Sequence, residues 1–316
     1  MSTYRRRKIR ELAAESLGVP IPPAAAYHWT LARQVDQLVT ARESEPDLGF
    51  MARMLTLCSL PRTNPGRRTQ YVRRNGPYIL GMIAGVNNKL PYGNLPRLLL
   101  AWVCTEAVRT QRRELLLGRS LSDFMRKLGL ESEGGGTWGA RTRLRNQMKR
   151  LFGASIQLVY EDAHSSASMS SFVAERTDFW WDPKRPDVPV LWDSKIELGE
   201  KFFQEIISHP VPLDMNILKA LKRSSLGLDL YMWLNYRLFG LKNPMRLRWR
   251  DLYRQFGAHS SKATDNHAVQ AFRKKCIREL KKIKEAWEGF DYGIIRGALV
   301  LFPTPPSVPP MISPTP

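Results

Sequence analysis

The sequence predicts an α+β, mainly helical fold, built as two tandem units of three helices, each closed by a small β-hairpin. Three observations lead there. Helical periodicity runs through residues 90–152 and 226–287. Each stretch is followed by short alternating segments bounded by turn residues. A constant offset in numbering also places Asp123, Arg126 and Gly129 on Asp251, Arg254 and Gly257, and Leu144, Arg145 and Arg150 on Phe272, Arg273 and Arg278, without a gap.

At 316 residues and 43% hydrophobic composition, the chain is long enough for two ordinary cores. The expected division is a basic segment at 1–50, a first domain at 51–208, a second at 209–302 and a tail at 303–316 rich in proline. Both ends are expected to be flexible. Ahead of the first unit we expect a short helix over 31–40 and a strand over 78–84. Between them, 55–75 reads as a loop loaded with Arg62, Arg67, Arg68, Arg73 and Arg74.

In the first unit, Pro96 opens a helix at a position that tolerates proline, with Leu98, Leu99, Trp102, Val103 and Ala107 on its apolar face. Ser120 caps a second helix, Asp123 stands three residues on, and Gly129 supplies a left-handed stop. After the turn Gly134-Gly135-Gly136, Thr137 is placed to cap a third helix whose Leu144, Met148, Leu151 and Phe152 share one side. Segments 156–161 and 171–177, around a Ser/Ala-rich tip, read as the hairpin. In the second unit the helices are 226–239, 250–256 with Gly257 as its stop, and 266–287, and the hairpin pairs 292–296 with 299–302. Phe179, Trp180, Trp181 and Trp192 are read as core between the domains rather than a base-stacking platform.

Three helices followed by a hairpin is the order of the winged helix, the helix-turn-helix variant whose last helix enters the major groove, so the expected fold is a tandem of winged-helix domains with β-hairpin wings. Charge agrees with that reading. The 49 Lys plus Arg against 29 Asp plus Glu leave +20 and a pI near 10.2, which calls for a polyanion, nucleic acid ahead of a membrane surface. On the helix at 266–287, Val269, Phe272, Cys276, Leu280, Ile283 and Trp287 recur at threes and fours and face the core. His267, Gln270, Ala271, Lys274, Arg278, Lys281 and Lys282 lie on the opposite face. Gln270 and Arg278 suit adenine and guanine edges, Ala271 permits close approach, and the lysines suit phosphates. Arg141, Arg143, Asn146, Lys149 and Arg150 are the matching candidates in the first unit, and Arg296 in the last hairpin is placed for a phosphate or the minor groove.

Several classes are disfavoured. No Gly-Lys pair occurs, so there is no phosphate-cradling P-loop. The five histidines contain no pair one residue apart, and His259, His267 and Cys276 lack a carboxylate at ligand spacing. Asp182, Asp187 and Asp193 stand among prolines and read as turn residues. No catalytic residue, metal or cofactor is expected. No apolar run approaches the roughly 20 residues of a membrane span, and no apolar stretch follows the basic N-terminus, so a cytoplasmic protein is expected. Cys58, Cys104 and Cys276 read as reduced, buried thiols. A sequence-specific transcriptional repressor and an enzyme acting on DNA stand as alternatives.

The run from Leu90-Pro91-Tyr92-Gly93 through Pro96-Arg97-Leu98-Leu99-Leu100-Ala101-Trp102 and Thr105-Glu106-Ala107-Val108-Arg109-Thr110 resembles the plasmid-encoded RepA replication initiators. The likeness continues in Leu117-Gly118-Arg119-Ser120-Leu121, Phe124-Met125-Arg126, Leu128-Gly129-Leu130, Thr142-Arg143-Leu144-Arg145 and Arg150-Leu151-Phe152, with Leu57-Cys58-Ser59-Leu60-Pro61-Arg62-Thr63-Asn64 upstream. The resemblance implies a bacterial, non-enzymatic protein that binds direct repeats (iterons) in double-stranded DNA at a plasmid origin and helps to open the duplex. It also implies recruitment of the host initiator and replicative helicase, a homodimer in equilibrium with monomer, and repression at its own promoter.

Overall fold

The computed structural model describes residues 47–130, 139–162, 164, 166–181, 185, 187–257 and 265–308. The expected helix at 31–40, the triple-glycine turn, the Thr137 cap and His259 lie outside the described residues. In chain order the elements are β1 (Leu48–Ala52), α1 (Arg53–Leu57), β2 (Gln70–Asn75), β3 (Tyr78–Ile83), α2 (Leu95–Thr110), β4 (Glu114–Gly118), α3 (Leu121–Lys127), α4 (Ala140–Phe152), β5 (Ser155–Glu161), β6 (Ser166–Phe172), β7 (Ala174–Asp178), β8 (Ser194–Leu198), α5 (Glu200–Ser208), β9 (Pro210–Asp214), α6 (Met215–Ala220), α7 (Ser225–Leu238), β10 (Met245–Arg248), α8 (Trp249–Phe256), α9 (Asn266–Ala286), β11 (Tyr292–Ile295) and β12 (Ala298–Leu301). The fold is therefore mixed helix and antiparallel sheet, which corrects the expectation of a mainly helical chain. Short strands such as β4 and β10 carry too few residues for a period-2 signal to stand out in sequence.

Two helices have almost no polar face. In α2 every residue from Leu98 to Thr105 is buried, and in α7 every residue from Leu226 to Leu234. A helix apolar all round has to be enclosed on all sides, and the other elements are arranged around these two. Each begins a series with the same order. In the first unit it runs α2, β4, α3, α4, β7, β8, with β5 and β6 inserted between α4 and β7 and the strands side by side as β4-β8-β7. In the second it runs α7, β10, α8, α9, β11, β12, with strands as β10-β12-β11. The expected hairpin of 156–161 with 171–177 is corrected by this pairing. β5 pairs with β6, together they extend β2 and β3 into a separate four-stranded sheet, and β7 pairs with β8 instead. The Ser/Ala-rich stretch taken as a tip is largely strand β6.

The arginine loop at 55–75 is also corrected, since it contains the end of α1 and all of β2. Arg73 is buried on β2, where Nε donates to the Tyr71 hydroxyl (2.8 Å) and the two Nη groups donate to the carbonyls of Arg254 and Gly257 (3.1 Å each). Gln255 Nε2 donates in return to the Leu57 carbonyl (3.0 Å), so the first segment grips the end of α8. β1 pairs antiparallel with β9, from Leu48 opposite Asp214 to Ala52 opposite Pro210. One hydrophobic cluster runs from Met51 to Leu301. The expected flexible tail is anchored in its first residues: Trp287 Nε1 donates to the Pro305 carbonyl (3.1 Å), and Ser307 Oγ donates to Asn235 Oδ1.

The central polar contact within this core is the pair of Arg97 on α2 and Asp229 on α7, each almost fully buried. Arg97 Nε and Nη2 donate to the two Asp229 oxygens at 2.6 and 2.8 Å. The remaining donors reach the carbonyls of Leu60, Pro61 and Gly93. Replacing Asp229 by Asn leaves this guanidinium enclosed without its counter-charge, and removing one partner of a buried pair costs about 3–5 kcal/mol. Urea unfolding of D229N is expected to show a lower midpoint at an unchanged slope.

Cys58, Cys104 and Cys276 are all free and buried. Burial pushes the Cys58 and Cys104 thiols up to about 12, and it raises Cys276 as well. The thiolate is the reactive form, so a disulfide-based thiol reagent at pH 8 is expected to label none of the three in the native protein and all three in urea.

Candidate nucleic-acid interface

The longest helix among the described residues, α9, combines a buried stripe with a basic one. Asp265 caps its start, accepting from the amides of His267 (2.9 Å) and Ala268 (3.2 Å). Val269, Phe272, Cys276, Leu280 and Ile283 are buried against α7 and α8, where Phe272 meets Tyr253 edge-on at 5.6 Å. With that stripe fixed, the opposite face is set by the 3.6-residue repeat. His267, Gln270, Ala271, Lys274, Arg278 and Lys281 are exposed there. Lys274 and Lys281 have no ion-pair partner among the described residues. Arg250 on α8 steadies the beginning of the helix by donating to Asn266 Oδ1 (3.0 Å). Arg296 is exposed in the β11–β12 turn, which Gly297 closes at φ +78°.

Not every cation on α9 is free. Lys282 is half-buried and its Nζ lies 3.3 Å from Glu279 Oε2, while Arg278 Nε donates to Glu279 Oε1 (3.2 Å). Glu279 itself is only 2% exposed, which its place in a basic helix does not signal. Arg273 packs over the Trp249 ring at 5.8 Å, and Lys284 pairs with Asp291 at 2.7 Å, so both hold the unit together.

The matching helix of the first unit, α4, buries Leu144, Gln147, Met148, Leu151 and Phe152. Arg143, Asn146 and Lys149 are exposed. Arg141 is engaged by Asp187 at 3.2 Å, and Arg150 donates to the Leu90 carbonyl while lying 5.2 Å over the Tyr92 ring. α4 therefore offers fewer unengaged cations than α9. The four aromatics do not form a core between the units, contrary to expectation. Trp181 is buried within the first unit, stacked on Phe179 and donating through Nε1 to the Gly118 carbonyl (2.8 Å), whereas Trp180 and Trp192 are 54% and 65% exposed in the β7–β8 connection.

Among the described residues no cluster of three His, Cys, Asp or Glu side chains is arranged to hold a metal ion, and no helix is long and apolar enough to cross a membrane.

Comparison with known proteins bears on this arrangement in three ways. No curated protein matches the chain. Among solved structures, the crystal structure of the selenomethionine derivative of domains 2 and 3 of RctB matches with a TM-score of 0.51 at 14% identity, over 85% of this chain and 99% of that one. A second crystal structure of RctB domains 2–3 matches with a TM-score of 0.47 at 16% identity, over 78% of this chain and 94% of that one. The first likeness concerns the fold alone. The family model described as plasmid-encoded RepA protein matches residues 90–249, which run from the loop ahead of α2 to the start of α8 and make up just over half of the sequence. This chain belongs to the plasmid-encoded RepA family of replication initiators.

Proposed function

We propose that the protein initiates plasmid replication by binding repeated origin sequences, the iterons, through two winged-helix domains, with α9 as the principal reading helix. The observation that carries this reading is the face of α9, where Gln270, Ala271, Lys274 and Lys281 stand exposed beside a fully packed opposite stripe. The helix–strand–helix–helix–strand–strand order, uninterrupted in the second unit and carrying the β5–β6 insertion in the first, with the first strand beside the last in each, supports the winged-helix assignment. On this reading the wing of the first unit is β7–β8 rather than the expected hairpin of 156–161 with 171–177. Division near residue 208 into two DNA-binding domains belongs to the same proposal, as do duplex opening, recruitment of the host initiator and helicase, and a monomer–dimer equilibrium. None of these roles requires a catalytic residue or cofactor.

Gln270 and Ala271, in the first half of α9, are assigned to base edges. Lys274, Lys281 and the turn residue Arg296 are assigned to phosphates, with Arg143, Asn146 and Lys149 as the contribution of α4. Arg141 and Arg150 serve those contacts only by leaving their present partners.

Footprinting on the plasmid's own origin, a scrambled fragment of equal length and its promoter tests the proposal. Protection is expected on the origin at regular intervals of about two helical turns, weakening steeply with salt. Equal affinity for scrambled DNA would remove the sequence-specific role, and protection confined to a promoter palindrome would favour a repressor. Gln270→Ala is expected to lose about 1–3 kcal/mol on the specific site alone. Lys274→Gln should instead weaken specific and scrambled DNA by the same factor, read as parallel shifts in two titrations.

A further inference from the structure

A cleft of about 290 Å³ opens where the start of α7 meets the second half of α9 and the loop after α1. Its charged lining is Arg62, Arg223, Lys275, Arg278 and Lys282, with the single carboxylate of Glu279. Glu279 accepts from Arg278 through Oε1, while its Oε2 lies 3.3 Å from Lys282 Nζ without a hydrogen bond. Arg62, Arg223 and Lys275 have no ion-pair partner among the described residues. Arg62 is the most constrained of these: its Nε is buried without a hydrogen-bond partner. The nearby carboxylate that would serve it, Asp229, is already taken by Arg97.

Burial of the Arg62 guanidinium lowers its pKa below the ordinary range. Arg62 is half-buried, and a cation with a sealed, orphaned donor is costly unless an anion meets it. The start of α7 adds to the same field. Ser224 caps it by accepting from the Gly227 amide (3.0 Å), and Ser224, Ser225 and Leu226 line the cleft, so the positive end of a 14-residue helix forms part of its wall. Gly227 leaves the room that this packing needs, since a Cβ there would stand 3.0 Å from Glu279 Oε2.

The cleft also has a definite relation to the α9 face. Lys275, Arg278, Glu279 and Lys282 follow at i, i+3, i+4 and i+7 and form one stripe. Gln270, Ala271, Lys274, Arg278 and Lys281 form the adjacent stripe, and Arg278 belongs to both.

We infer that this cleft binds one phosphate of the DNA backbone, gripped by Arg62, Lys275 and Arg278 over the start of α7. The inference rests on the DNA-binding reading above and departs from the sequence expectation at one residue: Arg278 becomes a phosphate ligand held in place by Glu279, rather than a reader of guanine. It also brings Arg62, from the first half of the chain, onto the same strand as α9, so that bound DNA bridges the two units.

The test uses the full chain and a labelled duplex of arbitrary sequence, titrated at several potassium chloride concentrations. Each neutralised phosphate contributes about 0.9 to the slope of log affinity against log salt. Arg62→Gln and Lys275→Gln are each expected to flatten the slope by up to that amount, whereas Lys201→Gln, on the exposed side of α5, should leave it unchanged. Lys275 is exposed, so its variant reports on binding even if the Arg62 variant unfolds. A steep wild-type slope that both folded variants reproduce would overturn the phosphate site and leave the DNA-binding reading standing. Absence of DNA binding by the wild-type chain would overturn that reading, and this assignment with it. A parallel thermal melt compares inorganic phosphate with chloride at equal ionic strength. If phosphate raised the midpoint of the wild type but not of Lys275→Gln, while the DNA slopes stayed equal, the cleft would hold a free phosphate ion, and the backbone assignment would fall.

Discussion

A guanidinium sealed from water needs an acceptor for each of its five N–H groups, and Arg97 has all five. Two are the oxygens of Asp229 on the other central helix, and three are carbonyls of the loops at 60–61 and 93. This arrangement tolerates little displacement of α2 against α7. It therefore fixes where the two similar units sit, and it places the loop that carries Arg62 against the start of α7. Arg73, gripping the carbonyls of Arg254 and Gly257, does the same for α8. The spacing between the exposed faces of α4 and α9 depends on these two arginines, neither of which reaches the surface.

What could be read from the sequence was local. The apolar periods of α2, α4, α7 and α9, the Ser120 cap, the left-handed Gly129 at φ +66° and the exposed stripe of α9 all follow from spacing within one turn or two. Strand partnership does not. Nothing in 171–177 distinguishes a partner at 156–161 from one at 194–198, because a short strand's alternation names its face and not its neighbour. Arg97 and Arg73 looked like two more cations in a basic chain, and only the fold shows them enclosed. Lys275 could have been found, since it continues the Arg278–Lys282 stripe by one turn. Arg62 carries no periodic signal at all.

The internal repeat is physical as well as textual. Asp123 pairs with Arg126 along α3, and Asp251 pairs with Arg254 along α8, the same intrahelical bridge at corresponding positions. The glycines that follow have diverged in their use. Gly129 is needed for its positive φ, whereas Gly257 has φ −65° and is needed because a Cβ would lie 2.2 Å from the Tyr253 carbonyl. One aligned residue thus answers a backbone requirement in the first unit and a packing requirement in the second.

The pairing of β1 with β9 has a consequence for how the chain is made. The strand at 48–52 leaves the ribosome long before 210–214, and until then the backbone groups it turns toward β9 have no native partner, although the Phe50 amide already meets Thr105 Oγ1. The first unit can gather its helices early, but its first strand has to wait for most of the chain, a high-contact-order closure of the kind that slows folding. A translation product ending before Pro210 would carry an open strand edge, a ready surface for association with other incomplete chains. Emergence of β9, ahead of the second unit's helices, is in this sense the step that finishes the first.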